Sequence, residues 1–571
     1  MTKRFSRIFL SGCLIATYTI SAASQTKITV DPATIHQRFE GWGTSLCWWA
    51  NLEGSGSAEY RDKIADILID PDSGLGFTIF RYNIGGGDQP GHNHMRTGGA
   101  IPGYKPTETG PYDWTADQYQ RNMVAALAQK GAQKKQEIIW EAFSNSPPWW
   151  MTQSGCAAGN VNGADNLKTD FFDDFADYLT EVVKHFRDDW EITFRTVEPF
   201  NEPSAGWWTA ENNQEGCGFK AGQSRMVKEL GKSLVGKGLF PATSVSAADE
   251  NAVNQAVAGL AAYDDSAFSY MTQISTHTYY GRTAANFTNL KNLAATKGKI
   301  LWQSETGPLA GTGSQDIAML MSQYIVQDLR MLKPAAWLDW QTVGSGSWGT
   351  FQVNRTTLAL VPTRRYYMQA AFSRFIRPGS LFIESSDSNS LAALVPSTGN
   401  CVLIIRNGGT SSINYTWDLT RFTTLGTLAT VYQYCVSNYR TLSRLPDVVI
   451  ENKQISIMSP AQSITTCVIP GVIEALSKSH LRTNREPNTL SMTLCNGHAL
   501  KLYLPLAKAY SLSIFTSSGR RVHHREGKGA RGTNRVDLSE LYLPGGVYYA
   551  QLRQHHATAF GIVHLVRSGV Q

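Results

Sequence analysis

Val197-Glu198-Pro199-Phe200-Asn201-Glu202-Pro203 and Leu301-Trp302-Gln303-Ser304-Glu305-Thr306-Gly307 share one form: an apolar, β-like run that ends in a carboxylate. They are two members of a longer series. From about Phe39 to Phe375 the chain alternates short apolar runs with amphipathic stretches such as Phe171–Phe186 and Ser314–Leu332, which is the pattern of βα units. Strands are predicted near Gly41–Leu46, Phe77–Ile84, Glu137–Phe143, Ile192–Phe200, Thr243–Ala247, Gln273–Tyr279, Ile300–Ser304 and Ala335–Trp340. Eight parallel βα units in this length predict an α/β fold, a (β/α)8 TIM barrel over residues 38–376. On that count Glu202 follows the fourth strand and Glu305 the seventh. Those ends face each other across the mouth of a barrel, where catalytic groups collect.

Two carboxylates so placed suit cleavage of a glycosidic bond. About 5 Å apart, one acts as nucleophile and the other as acid and then base, so that the anomeric configuration is retained. An apolar wall and a neighbouring anion would supply the raised pKa that the proton donor needs. Asn201 would point at the sugar 2-hydroxyl. The bland alternative makes Glu202 and Glu305 ordinary charges at strand ends. No CxxC or HExxH is present and no compact ligand spacing is visible, so neither a metal nor a cofactor is expected. Gly85-Gly86-Gly87 lacks the Lys-Ser/Thr of a phosphate loop and reads instead as a close backbone approach to a ligand. His92 and His94 read as loop hydrogen-bonding residues.

The remaining composition agrees with an exported globular protein. With 42 % hydrophobic and 17 % charged residues among 571, the chain is neither disordered nor fibrous and is long enough for two or three domains. The net charge of +6 is mild and no basic run is interleaved with aromatics, which argues against nucleic acid as a partner. Many of the 15 Trp lie beside Gly, Pro or polar residues; most read as core and a minority as sugar-stacking platforms. Lys3, Arg4 and Arg7, then the apolar run Ile8–Ile20 and Ser21-Ala22-Ala23, predict a signal peptide over 1–23. Leu10-Ser11-Gly12-Cys13 matches a lipoprotein box, but most of the apolar core follows Cys13, so ordinary cleavage near Ala23 is expected. No other segment is long and apolar enough to span a bilayer. Of eight cysteines, removal of Cys13 leaves seven. Cys156 and Cys217 lie in Gly-containing polar loops and are read either as a disulfide bracing one rim of the site or as two free thiols.

After Ile376 short alternating runs separated by Gly, Asn, Ser and Thr predict an antiparallel β-sandwich from 24–37 plus 377–473, with Thr26–Val30 supplying one strand. Residues 474–490 read as a polar linker and 491–571 as a small C-terminal β-sandwich.

Over roughly residues 26–475 the chain resembles glycoside hydrolase family 30 of clan A. The resemblance implies that Glu202 is the acid/base and Glu305 the nucleophile, with Arg81 orienting Glu305. It also implies that Asp88 binds hydroxyls in the −1 subsite, that Trp340 lies under that subsite, and that His277 and Tyr279 are polar groups of the site. Trp42 is read as a further sugar contact, with Trp48 and Trp49 as rim aromatics. The loops Gly41–Ser45 with Trp48-Trp49, Arg81–Asp88 with His92-Asn93-His94 after it, Ser144-Asn145-Ser146-Pro147-Pro148-Trp149-Trp150-Met151 and Gln214-Glu215-Gly216-Cys217 resemble the endo-β-1,6-galactanase subfamily. Ser144 stands where the sphingolipid-cleaving relatives carry Trp, so their aglycone pocket is not expected. What the resemblance implies is an enzyme acting on β-1,6-galactosidic side chains of arabinogalactan; a monomer is expected. The alternatives are β-1,6-glucanase, glucosylceramidase-like or β-xylosidase/β-fucosidase activity, or a non-catalytic polysaccharide-binding protein. Leu512-Ser513-Ile514-Phe515, Ser517-Ser518-Gly519-Arg520, Asn534–Ser539 and Leu543-Pro544-Gly545-Gly546 resemble a type IX secretion sorting domain, which implies a secreted or cell-surface protein.

Overall fold

The computed structural model describes residues 25–472, apart from 310–315, 345–347, 355–356 and 439–440. It also describes most of 491–565, apart from 496–498, 505–507, 517–520, 531, 539–545 and 555–556. The predicted signal peptide, the linker and parts of the sorting motif therefore lie outside the described residues.

Eight strands close a parallel barrel: β1 (Gly41–Ser45), β2 (Ile79–Asn83), β3 (Ile139–Phe143), β4 (Phe194–Glu198), β5 (Ser244–Ala252), β6 (Met271–Tyr280), β7 (Ile300–Thr306) and β8 (Ala336–Asp339). Closure is made by β8 on β1, with Gly41 opposite Ala336 and Thr44 opposite Asp339. Each predicted strand coincides with one of these. The main difference is β5, which runs five residues past the predicted end at Ala247. Asp249, Glu250 and Asn251 do not look like strand residues, yet all are buried, because other barrel groups satisfy their polar atoms.

The helices cover the barrel by their apolar stripes. In Phe172–Asp189 the residues Phe175, Leu179, Val182, Val183 and Phe186 recur at helical spacing and are buried. The helix predicted over Ser314–Leu332 spans Ile317–Gln327, and the Asp316 carboxylate caps it by accepting from the Ala318 and Met319 N–H groups.

The long strand Gln25–Arg38 joins two layers of β-structure beside the barrel. Its first half pairs in parallel with Ile413–Asp418, and its second half pairs antiparallel with Leu381–Ser385. The side domain is locked to the barrel layer by Arg406, whose Nε donates to Ser322 Oγ at 3.0 Å, and by Thr466 Oγ1, which donates to the Ala371 carbonyl.

Trp42 takes part in this seam rather than in sugar binding. It is fully buried, its Nε1 donates to the Ile376 carbonyl at 2.7 Å, and its ring packs against Phe39 and Trp337. An indole buried there with its N–H satisfied is a packing element, which corrects the expectation of a sugar contact.

Residues 474–571 form a separate compact unit. Within it, Ser491–Cys495, Ala499–Leu504 and Gly532–Asp537 make one sheet, and Ala509–Thr516, Arg521–Lys528, Gly546–Gln554 and Ala557–Leu565 another. Leu500, Leu502, Leu512, Ile514, Val536 and Leu552 fill its core. Among the described residues no helix is long and apolar enough to cross a membrane.

Candidate active site

Glu202 follows β4 and Glu305 lies near the end of β7, so closure of the barrel brings them together from positions about a hundred residues apart. One carboxylate oxygen of each, with a ring nitrogen of His277 from β6, forms a cluster whose atoms all lie within 4.8 Å of one another. Glu202 has a left-handed backbone (φ 49°), uncommon for a residue with a side chain and frequent at functional sites. Its amide donates to the Asp249 carbonyl and its own carbonyl accepts from Trp208 Nε1, which pins the turn.

The Glu202 Oε1 atom accepts from Asn251 Nδ2 at 2.5 Å and lies 3.1 Å from His277 Nδ1. Glu305 Oε1 accepts from the Tyr279 hydroxyl at 3.0 Å, while its Oε2 lies 3.5 Å from both Arg81 Nη1 and His277 Nε2. Burial pushes the Glu305 carboxyl up to about 8; the His277 and Arg81 cations oppose the shift, and the Glu202 and Asp249 charges add to it. Burial also works against a charged His277, but Glu305 and Asp249 outweigh it and hold the imidazole well above its ordinary range.

Beneath the pair lies a buried ion network. Arg81 donates through Nε to Glu141 at 2.9 Å and through Nη2 to Asp249, and its guanidinium stacks 4.3 Å from the Phe143 ring centroid. Asp249 also accepts from Ser304 Oγ. Burial alone would raise its carboxyl, but Arg81 and His277 hold it well below the usual carboxylate range.

A cleft of about 650 Å³ opens above the carboxylates, lined by Asn201, Glu202, Asn251, Tyr279, Glu305 and Trp340, with Trp207, Tyr280, Gln341 and Trp348 farther along its walls. The Asn201 amide oxygen has no partner within the protein although the residue is buried, so it is available to a ligand. Trp48 is buried against the edge of Trp340, 6.3 Å between ring centroids, and supports that platform from behind.

The predicted residues thus divide. Glu202, Glu305, Asn201, Tyr279 and Trp340 line the cleft. Arg81 and His277 are fully buried behind the carboxylates and reach a substrate only through them. Asp88 does not line the cleft: it accepts from the Ala157 amide and pairs with His92. Cys156 and Cys217 are both free thiols, Cys217 hydrogen-bonded to Gly218 and Cys156 to Ala210, so the disulfide reading is corrected. Sequence reasoning missed Asp249, Asn251, Glu141 and Trp207. The polar run Asp249-Glu250-Asn251 was a usable signal for the first two, since strand C-termini carry the chemistry of a barrel.

Three buried carboxyls make the fold pH-sensitive. Burial raises Asp117 to about 7 and both Glu215 and Glu305 to about 8, from ordinary values near 4. The folded state therefore holds these protons more tightly than the unfolded chain. Their stabilising contribution is complete below about pH 4 and is lost as pH rises through 7 to 8. Asp249 acts oppositely, but only below about pH 4. The urea midpoint is expected to be higher at pH 5 than at pH 8, and Glu215→Gln is expected to flatten the difference. Greater stability at pH 8 would contradict this assignment.

Comparison with known proteins adds independent findings. The family model described as O-Glycosyl hydrolase family 30 matches residues 25–348. An endo-β-1,6-galactanase from Hypocrea rufa is 30 % identical over 498 residues, covering 82 % of this chain and 99 % of that protein. An exo-β-1,6-galactobiohydrolase from Bifidobacterium longum subsp. longum is 32 % identical over 251 residues, which is 34 % of this chain and 16 % of that one. Among solved structures, a conserved exported protein from Bacteroides fragilis superposes with a TM-score of 0.66 at 20 % identity, over 78 % of this chain and all of that one.

Proposed function

Since the chain belongs to O-glycosyl hydrolase family 30 and is therefore a glycoside hydrolase, we propose that it is a retaining endo-β-1,6-galactanase acting on arabinogalactan side chains. The observation that carries the mechanism is the approach of the Glu202 and Glu305 oxygens to within 4.8 Å. So close an approach matches the carboxyl separation of double-displacement enzymes, about 5–5.5 Å, better than the roughly 6.5–9.5 Å of inverting ones. Glu305 attacks the anomeric carbon while Glu202 gives its proton to the departing oxygen, forming a glycosyl-enzyme. Glu202, now ionised, takes a proton from water, which releases the sugar with its configuration retained. Repulsion between two adjacent carboxylates favours one negative charge on the pair; the first step needs that charge on Glu305, where burial opposes it and the His277 and Arg81 cations favour it.

The linkage and sugar rest on the Hypocrea rufa relative, which aligns over 99 % of its length. Endo action is supported by Trp207 and Tyr280, which line the cleft and are 46 % and 51 % exposed, as platforms for sugars additional to the one at the carboxylates. We take residues 1–23 as an export signal and 491–571 as a sorting domain for passage across the outer membrane.

Product analysis on de-arabinosylated arabinogalactan, beside β-1,6-glucan and β-1,4-galactan, tests this reading. Release of a ladder of β-1,6-galacto-oligosaccharides is expected, with the β-anomer appearing first by NMR. Release of galactobiose alone would replace endo with exo action. Activity on β-1,6-glucan alone would overturn the sugar, and first appearance of the α-anomer would overturn retention.

A further inference from the structure

The loop after β2 places three metal-binding side chains together at the barrel rim, outside the residues that line the cleft, and the loop after β3 sets Cys156 beside one of them. One donor atom from each of Asp88, His92 and His94 lies within 4.8 Å of the others. His92 Nδ1 is 3.2 Å from Asp88 Oδ2, and Cys156 Sγ is 3.7 Å from His94 Nε2. A tetrahedral zinc ion with bonds of roughly 2.0–2.3 Å sets its donors roughly 3.3–3.7 Å apart, so the Cys156–His94 spacing falls within that range and the His92–Asp88 spacing just below it. The chain reverses at Gly91 (φ 100°), a conformation that favours glycine, and this returns His92 and His94 toward Asp88.

Backbone groups fix two of the donors in place. Cys156 Sγ accepts from the Ala158 amide at 3.4 Å and donates to the Ala210 carbonyl at 3.3 Å, so it is a thiol in the metal-free state and metal binding releases its proton. The Ala157 amide donates to Asp88 Oδ1 at 3.1 Å and fixes the carboxylate beside the sulfur, the role that outer-shell groups play in metal sites. Cys156 is 2 % exposed and has no disulfide, while both His rings are open to solvent, which leaves an entry path. No compact ligand spacing is visible in the chain because Cys156 lies 62 residues beyond His94.

We propose that Asp88, His92, His94 and Cys156 bind one divalent transition-metal cation, zinc by the chemistry of the N2OS donor set, which clasps the β2 loop to the β3 loop. The clasp also steadies the acid/base turn. The β3 loop is tied to the next one by Asn160 N–H on the Trp208 carbonyl and by Gly216 N–H on the Ala157 carbonyl, and Trp208 holds Glu202. The ion has no place in the hydrolytic steps, and the proposal stands independently of the substrate.

The test uses the untagged full chain, stripped with a chelator and titrated with Zn2+ by calorimetry and with Co2+ by absorbance. One equivalent is expected to bind. Cobalt should show the d–d bands of a tetrahedral site and a near-ultraviolet thiolate charge-transfer band. Cys156→Ser is expected to lose that band and His94→Ala to weaken binding at least about 10-fold. Metal-free forms of both variants should unfold at the same temperature as the metal-free parent, which separates a lost site from a misfolded loop. Absence of uptake by the parent would overturn the proposal. So would uptake unchanged in both variants, which would place the ion on the similar cluster Glu202, His277 and Glu305.

Discussion

Glu305→Gln is expected to abolish hydrolysis, by about 10⁴-fold or more, in a chain that still folds. The amide is nearly isosteric with the carboxyl and still accepts from Tyr279, so the change removes the nucleophile without opening a cavity. Because burial disfavours the Glu305 charge, the neutral side chain carries no desolvation cost of its own at neutral pH. Glu202→Gln is expected to lose about 10²- to 10⁴-fold on natural linkages, the usual contribution of a general acid. The two variants part on a dinitrophenyl β-1,6-galactobioside, whose leaving group needs no proton. Glu202→Gln should form the glycosyl-enzyme there and stall, and added azide should release it as the β-azide. Glu305→Gln should form no such intermediate; Glu305→Gly, which vacates the nucleophile's place, should let azide enter from the opposite face and give the α-product. Near-full activity in either variant would sink the site assignment, and an exchange of the two azide products would reverse the roles.

Arg81→Met is expected to cost about 3–5 kcal/mol of stability, because it strands the buried carboxylates Glu141 and Asp249 without their cation. Urea unfolding at pH 7 measures the loss, and lowering the pH should recover part of it by protonating the stranded acids. Should Arg81→Met fail to accumulate as folded protein, Arg81→Lys keeps the charge and tests the geometry. Arg81 reaches Glu141, Asp249 and Glu305 through three different nitrogens, and a lysine ammonium cannot span that fork. Arg81→Lys is expected to fold with its kcat reduced and its KM little changed, since Arg81 is shielded from substrate. A KM effect alone would mean that Arg81 meets the sugar directly.

Much of this architecture could be read from the chain, for local reasons. Each barrel strand is a short apolar run between amphipathic helices, and Glu202 and Glu305 terminate two such runs. Counting strands therefore placed both carboxylates at the mouth. What could not be read depends on which groups meet across the closed barrel. Asp249 and Asn251 sit in a polar stretch that ends the strand pattern on the page, yet they continue β5 because Arg81, Ser304 and Glu202 satisfy them. Trp42 falls beside glycines like a rim aromatic, but an adjoining helix and the Ile376 carbonyl enclose it. Cys156 and Cys217 occupy similar loops, and only the fold shows that each thiol has a different neighbour.

The barrel, the side domain and the two carboxylates are legible in the chain, because hydrophobic periodicity and strand-end motifs are properties of contiguous residues. Only folding sets the approach of Glu202 and Glu305 to within 4.8 Å, the raised Glu305 carboxyl, and the Asp88, His92 and His94 cluster with Cys156 beside it. Distance and desolvation between residues far apart in the chain exist only once the barrel has closed.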